Sequence, residues 1–380
     1  MNRLQALHDA GQSIWLDFID RTMLFDGDLE RRIRDDSLTG MTSNPTIFEK
    51  ALAEGTAYDA QLSGASADLT PWQLFELIET DDVRTACDHF APVYQNTRGQ
   101  DGFVSIEVSP GSANDTDKTF AEAERLWRSV DRPNVMIKVP GTKAGALAVR
   151  QLIAAGINVN ITLLFSLDAH RSVIEAYLGG LEDRLARRQP IDRIASVASF
   201  FVSRVDTEVD KRLDAGIANG TSEESARLRS LKGTVAIANA KLAYALFREQ
   251  FSGERWEVLA RAGAQVQRPL WASTSTKNPE YRDVMYVEQL IGADTVNTMT
   301  PATIDAFRDH GDVTLTAGDD REIARGVISD LESAGISLEA VTDKLLVEGL
   351  ASFTKSFDSL LKGLEGKVRS LRGETAGRAG

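Results

Sequence analysis

The 380-residue chain, 42% apolar and 26% charged, has the make-up of a globular protein and enough length to bury a large core, as two domains or as one barrel with additions. Its 43 Lys and Arg against 56 Asp and Glu leave a net charge of −13 with the acids spread along the chain, which argues against nucleic acid or an anionic membrane as a main partner. The lone cysteine, Cys87, excludes an intrachain disulfide and a thiolate metal cluster and fits an intracellular setting.

Eight strand-like runs follow one another at residues 13–19, 38–44, 102–109, 134–139, 157–164, 194–201, 269–274 and 295–300. Helical periodicity fills most of the gaps, at 72–95, 115–130, 144–155, 168–187, 205–215, 222–250, 280–291 and 302–308. Strand alternating with helix implies parallel pairing, and eight such units predict an α/β fold of the closed (β/α)8 TIM-barrel type. A plain barrel of this type takes about 250 residues, which leaves about 130 for additions. These are additional helices at the N-terminal start and over 49–95, a helical insertion around 222–263 and a closing C-terminal helix over 337–368. In that last helix Val341, Leu345, Leu346, Leu350, Phe353, Phe357, Leu360, Leu361 and Leu364 recur at helical spacing, a stripe that predicts core packing.

No linker rich in Pro, Gly or Ser divides the chain, so residues 1–372 are expected to form a single barrel domain and the glycine-rich tail 373–380 to be disordered. The start, Met1 to Gly11, has no apolar core region and no run approaches bilayer-spanning length, so a cytoplasmic protein without a membrane partner is expected. His8, His89, His170 and His310 show no ligand spacing and read as surface or helix residues, so no metal site of the two-histidine kind is expected.

Side chains alternate between the two faces of a strand, so each barrel strand offers one face to the helices and one to the interior. In the first strand Ile14, Leu16 and Phe18 form the outer set and leave Trp15 and Asp17 inside. The second places Thr42 and Asn44 together, the third Ser105, Glu107 and Ser109, the fourth Asn134, Met136 and Lys138, and the fifth Asn158, Asn160 and Thr162. The same parity sends Val197, Ser199 and Phe201 inward on the sixth strand and Trp271, Ser273 and Ser275 on the seventh. Asp17, Asn44, Glu107, Lys138, Asn160 and Thr162 thus gather near the C-terminal strand ends, the rim where barrel enzymes of this architecture keep their chemistry.

Lys138 stands out because a buried, unpaired ammonium costs several kcal/mol. Depressing its pKa from about 10.4 toward about 7 would cost roughly 4–5 kcal/mol and free an amine to attack a carbonyl. The plainer reading is a lysine snorkelling from a strand end. A lysine among two acids, amides and hydroxyls suits iminium formation, with one carboxylate moving protons at the carbinolamine and another accepting the proton of the hydroxyl whose carbon is cleaved. Asp17 and Glu107 can divide those roles, Asn44 and Asn160 can hold hydroxyls of a polyol, and Thr162 can position a water. Asp17 could instead cap a helix or merely neutralise Lys138.

Three segments carry a family resemblance: Gly40-Met41-Thr42-Ser43-Asn44-Pro45-Thr46-Ile47-Phe48, Val135-Met136-Ile137-Lys138-Val139-Pro140-Gly141-Thr142, and Gly156-Ile157-Asn158-Val159-Asn160-Ile161-Thr162-Leu163-Leu164-Phe165-Ser166. In this order they resemble the signatures of the transaldolases, over about residues 14–307. The resemblance implies a Schiff base on Lys138 with a ketose phosphate, sedoheptulose 7-phosphate or fructose 6-phosphate. A dihydroxyacetone unit would then pass to glyceraldehyde 3-phosphate or erythrose 4-phosphate, in the nonoxidative pentose phosphate branch. It implies Asp17 as the base for cleavage, Glu107 with Thr162 and a water as the proton relay, and Asn44 and Asn160 as ligands of the dihydroxyacetone hydroxyls, with no metal or organic cofactor. Sugar phosphates are then the small-molecule partners, and a monomer or a homodimer is expected.

Ser199-Phe200-Phe201-Val202-Ser203-Arg204 resembles the family pattern that makes Arg204 the phosphate clamp, against the alternative of a helix-opening arginine paired to Asp206 or Asp210. Many members carry Ser-Phe-Arg after the seventh strand, whereas this chain has Ser273-Thr274-Ser275-Thr276-Lys277. Ser273 still aligns, Lys277 is either the second cation or a solvated loop residue, and Thr42, Ser199 and Phe201 are expected to bind substrate beside them. One alternative function is a fructose 6-phosphate aldolase, which releases free dihydroxyacetone; relatives of that kind replace the glutamate relay and place a tyrosine in the pocket, whereas this chain keeps Glu107 and Phe201. Deoxyribose-phosphate aldolase is a more distant rival, which the Thr42-Ser43-Asn44-Pro45 segment does not suit. An alternative of another class is an inactive barrel that binds sugar phosphates or proteins.

Overall fold

The computed structural model describes residues 2–66, 68–318 and 320–372, so the tail expected at 373–380 lies outside the described residues. Eight strands, β1 (Gln12–Asp17), β2 (Leu38–Thr42), β3 (Phe103–Glu107), β4 (Val135–Pro140), β5 (Val159–Leu164), β6 (Ser196–Phe201), β7 (Arg268–Ala272) and β8 (Thr295–Met299), form one closed parallel barrel in sequence order. Closure comes from β1 lying beside β8, with Gln12 opposite Thr295 and Trp15 opposite Thr298. Every strand expected from the alternation is present, shorter or shifted by one or two residues at most ends.

Among the described residues the helices are α1 (Arg3–Asp9), α2 (Arg21–Phe25), α3 (Asp28–Asp35), α4 (Pro45–Glu54), α5 (Asp59–Gly64), α6 (Pro71–Asn96), α7 (Thr116–Val130), α8 (Lys143–Ala155) and α9 (Leu167–Ala186). They continue with α10 (Ser203–Asn219), α11 (Ser222–Leu231), α12 (Val235–Gln250), α13 (Gly253–Arg261), α14 (Met285–Glu288), α15 (Pro301–His310), α16 (Arg321–Ser333) and α17 (Leu338–Leu371). None is long and apolar enough to cross a membrane.

Three helical expectations change. The stretch 222–250 is two helices, because Gly233 takes a left-handed φ of 71° and ends the run. The helix expected over 280–291 shrinks to α14, since Asn278 forms a turn by accepting from the amides of Glu280 and Tyr281. Helix α16, in a polar stretch, was not anticipated. Within the stretch read as an insertion, α12 packs on β7 and α9 and so belongs to the helical layer of the barrel.

The lower interior is a plug of Trp15, Phe103, Met136, Val197, Leu270 and Val296, all buried. Beneath them Trp15 Nε1 donates to Asp101 (2.9 Å), while Arg268 donates to Ser13 Oγ (2.7 Å) and lies 3.4 Å from Asp101. The expected parity holds through β6 and fails on β7. Leu270 and Ala272 face inward, and Trp271 faces the helices, donating to the Leu290 carbonyl (2.9 Å) and meeting the Phe200 ring edge-on. The plug already holds the Trp15 indole and the Phe103 ring, and a second indole inside would have competed with them for space. Ser109, expected inside, lies past the end of β3, where its amide and hydroxyl donate to Glu122 on α7.

Gly40 on β2 faces this plug, and a Cβ built there would lie 2.5 Å from the Trp15 indole. Gly40→Ala is expected to cost about 1–3 kcal/mol by overpacking, read as a lowered denaturant midpoint. His170 is buried between α9 and β6 with no protein partner for either ring nitrogen, and burial lowers its pKa to about 4. A histidine depressed below its unfolded value of 6.5 destabilises the fold as pH falls from there toward 4, because the unfolded chain then binds the proton more readily. Thermal denaturation at pH 7 and pH 5 is expected to show a smaller acid-induced drop in His170→Phe than in the parent chain.

Candidate active site

A cavity of about 480 Å³ opens at the C-terminal end of the barrel. Strand register builds its floor: Glu107 lies opposite Lys138, Lys138 opposite Asn160, and Asp17 opposite Thr42. All twelve residues singled out from the sequence line this cavity: Asp17, Thr42, Asn44, Glu107, Lys138, Asn160, Thr162, Ser199, Phe201, Arg204, Ser273 and Lys277.

Lys138 Nζ is 3.0 Å from Glu107 Oε2 and donates at 3.3 Å to the Ser43 carbonyl, with the two side chains only 12% and 7% exposed. The lysine therefore points into the barrel instead of snorkelling out. Its neutralising partner is Glu107 and not Asp17, which accepts from Thr42 Oγ1 at 3.0 Å. Burial pushes the Glu107 carboxyl above the usual glutamate range, against the pull of the Lys138 ammonium. It therefore exchanges protons at a higher pH than an exposed glutamate, within one hydrogen bond of the amine.

The amides are held in defined orientations. Asn160 Nδ2 donates to Ser105 Oγ (2.9 Å), and Asn160 Oδ1 accepts from Ser199 Oγ (2.6 Å). Asn44, two residues past β2, caps α4, its Oδ1 accepting from the Ile47 amide (3.1 Å) with Pro45 in the first helical turn. The Thr-Ser-Asn-Pro segment thus starts a helix and presents an amide to the cavity with the same residue.

At the mouth, Arg204 lies over the Phe201 ring, 4.9 Å from its centroid, and Phe201 packs on Phe165. The arginine reaches solvent through the cavity while protein crowds it. That crowding lowers its proton affinity, and the charges of Asp17 and Glu107 oppose the change. Asp206 and Asp210 bond to tyrosines and to the start of α12 instead of pairing with Arg204. Lys277 Nζ donates to Ser275 Oγ (2.8 Å). Ser273 reaches the rim by a different route from the one parity suggested, through a left-handed φ of 58° just past β7.

Several lining residues escaped the sequence reading. Lys50 on α4 adds a cation, and Gly349, Ser352, Phe353 and Ser356 at helical spacing on α17 form one wall, tied to α4 by Thr46 Oγ1 and Ser356 Oγ (3.0 Å). The stripe in α17 predicted packing, and the small polar residues between its apolar positions are the only signal of this second role. Glu79 on α6 does not line the cavity but lies buried near enough to feel the charges of Glu107 and Lys138. Burial holds its carboxyl well above the ordinary range, the charges of Glu107 and Glu122 act the same way, and Lys138 opposes them.

A lysine amine hydrogen-bonded to a carboxylate, with a second carboxylate and oriented amides around one cavity, can capture a ketone as an iminium and exchange protons with the adduct. Comparison with known proteins identifies relatives of the whole chain. A family model described as Transaldolase/Fructose-6-phosphate aldolase matches residues 14–364. The chain is 47% identical to "Transaldolase 2" of a Nostoc species over 376 residues, covering 98% of this chain and 99% of the relative. It is 49% identical to "Transaldolase" of Thermobifida fusca over 360 residues (94% and 96%), and 46% identical to "Transaldolase" of Trichodesmium erythraeum over 374 residues (97% and 98%). Barrel, lysine pocket and near-full-length similarity agree, and the chain belongs to the transaldolase/fructose-6-phosphate aldolase family.

Proposed function

We propose that the protein is a transaldolase of the cytoplasm, moving a dihydroxyacetone unit from sedoheptulose 7-phosphate or fructose 6-phosphate to glyceraldehyde 3-phosphate or erythrose 4-phosphate. The observation that carries this reading is the Lys138–Glu107 hydrogen bond at 3.0 Å inside a cavity that Asp17, Asn44, Asn160 and Thr162 also line. The Lys138 amine, its proton taken by the Glu107 carboxylate, attacks the donor ketone carbon. Glu107, with Thr162 and a water, supplies the protons with which the carbinolamine hydroxyl leaves as water, giving an iminium.

Asp17 then takes the proton of the C4 hydroxyl. The C3–C4 bond breaks, its electron pair passing into the iminium to form an enamine while C4 becomes the aldehyde of the released aldose phosphate. The retained enamine attacks the acceptor aldehyde, and the steps run in reverse to hydrolyse the new iminium. Every bond and proton balances with these side chains and water, so the cycle needs no redox partner or organic cofactor. Asn44 and Asn160 hold the hydroxyls of the three-carbon unit, with Thr42 orienting Asp17 and Ser199 orienting Asn160. Arg204 holds the phosphate, with Ser273 beside it and Lys277 as second cation. Phe201 supports transfer over simple cleavage, because an apolar ring at this position offers no hydroxyl to the bound enamine.

Borohydride reduction in the presence of fructose 6-phosphate is expected to label Lys138, located by peptide mapping; label on Lys143, or none, overturns the assignment. With the same donor, adding erythrose 4-phosphate is expected to raise ketose turnover sharply, whereas equal turnover with release of free dihydroxyacetone would favour the aldolase reading.

Because burial raises the Glu107 pKa, its base form appears only above the ordinary glutamate value of 4.5 and activity rises through that limb. Glu107→Gln is expected to lower kcat by about 10²–10⁴-fold and to remove the limb from the pH–kcat profile. An unchanged limb would assign it to another group.

A further inference from the structure

Helix α10 follows β6 and carries Ser203, Asp206 and Asp210 at i, i+3 and i+7, on one face. Each holds a hydroxyl from the connection between β7 and β8. Ser203 Oγ and Ser273 Oγ are 2.9 Å apart, Tyr286 Oη donates to Asp206 Oδ2 (2.9 Å), and Tyr281 Oη donates to Asp210 Oδ2 (2.5 Å). The remaining oxygens of the two buried carboxylates accept the Ala236 amide (2.7 Å) and the Gly233 amide (3.2 Å), at a helix start that Thr234 does not cap with its side chain. Gly233 is pressed against Tyr281 so closely that a Cβ there would lie 2.8 Å from the phenol ring. Backbone bonds Val202 N to Ala272 O and Ser203 N to Ser273 O, both 3.0 Å, complete the seam.

The loop over residues 273–281 is therefore pinned to α10 at both ends, by Ser273 and by Tyr281, with Lys277 midway between the pins. Arg204 follows the first pin residue, Ser203, directly along α10. A free nine-residue loop would spread the Lys277 ammonium over many positions, and ordering it on binding would weaken affinity. We infer that the hydroxyl–carboxylate seam, Tyr281 to Asp210 above all, is a positioning device that sets the distance between Arg204 and Lys277 and so makes of them one two-cation site for the substrate phosphate. This rests on the reading of Arg204 as the phosphate clamp. Lys277 takes the place of the missing second arginine because the tyrosine latch gives a flexible lysine the fixed placement that a guanidinium fork would otherwise supply.

The test uses the full chain. Tyr281→Phe is expected to raise KM for fructose 6-phosphate and the inhibition constant of inorganic phosphate by the same factor, about five- to tenfold, with kcat within about twofold. Cleavage of unphosphorylated fructose is expected not to change. Asp210→Ala, which removes the same bond together with the acceptor of the Gly233 amide, is expected to raise both constants by at least as much. In the Lys277→Ala background Tyr281→Phe is expected to add nothing to the loss of phosphate inhibition.

A thermal midpoint lowered without any change in phosphate inhibition would make the latch purely structural and overturn the inference. Additive effects with Lys277→Ala, or equal losses for fructose and its phosphate, would do the same. Arg204→Ala separates the two levels. If it leaves phosphate inhibition intact the clamp reading itself fails, whereas if it weakens inhibition and Tyr281→Phe does not, only the latch fails.

Discussion

The structure is organised around one costly placement, an ammonium and a carboxylate inside a barrel, with Lys138 and Glu107 3.0 Å apart and nearly sealed from solvent. Removing both charges from water costs several kcal/mol per ion, and their attraction recovers that only in part. The raised proton affinity of Glu107 registers the shortfall, since its burial outweighs the pull of the lysine. Such a pair is a poor choice for stability and a good one for passing protons, because burial brings the Glu107 carboxyl nearer its neutral form within one hydrogen bond of the amine. The rest of the fold either carries this cost or directs its chemistry.

The lower half of the barrel carries it. The plug of Trp15, Phe103, Met136, Val197, Leu270 and Val296 supplies apolar burial below the polar rim, and Gly40 leaves the space the Trp15 indole occupies. Register directs the chemistry. In a parallel barrel neighbouring strands offer side chains at matched heights, so Glu107, Lys138 and Asn160 stand in a row without any loop having to place them. At the rim the backbone becomes irregular. Leu163 (φ 61°) and Ser273 (φ 58°), both lining the cavity, take left-handed conformations that side-chain-bearing residues seldom adopt. Such strain is held where the surrounding packing over-determines it, and here it occurs on β5 and just past β7, at residues that line the cavity.

The mouth is assembled from elements far apart in the chain. Helix α17 lays one face across the cavity and bonds to α4, while α10 holds the loop after β7 by three hydroxyls. The cations Arg204, Lys277 and Lys50 thus sit on three separate elements, against a chain whose overall charge is −13. An anionic substrate meets these three cations at the opening, which suits entry of a phosphate with its charged end outermost.

The amino-acid sequence by itself determined the eight strands, the inward parity of β1 to β6 and the lysine with its ring of acids and amides, because alternation has a period of exactly two and a polar residue on a buried face breaks it visibly. The Thr-Ser-Asn-Pro and Val-Met-Ile-Lys segments were legible for the same reason, each being local. Only the tertiary structure decided which carboxylate pairs with Lys138, since Asp17 and Glu107 lie on different strands and the choice depends on ångström-scale distances across the barrel. It also decided that Trp271 turns outward, that Asp206 and Asp210 hold tyrosines from the β7–β8 connection instead of Arg204, and that α17 presents Ser352 and Ser356 to the cavity. Those outcomes come from space already filled and partners brought in from distant segments, and no periodicity along the chain encodes either.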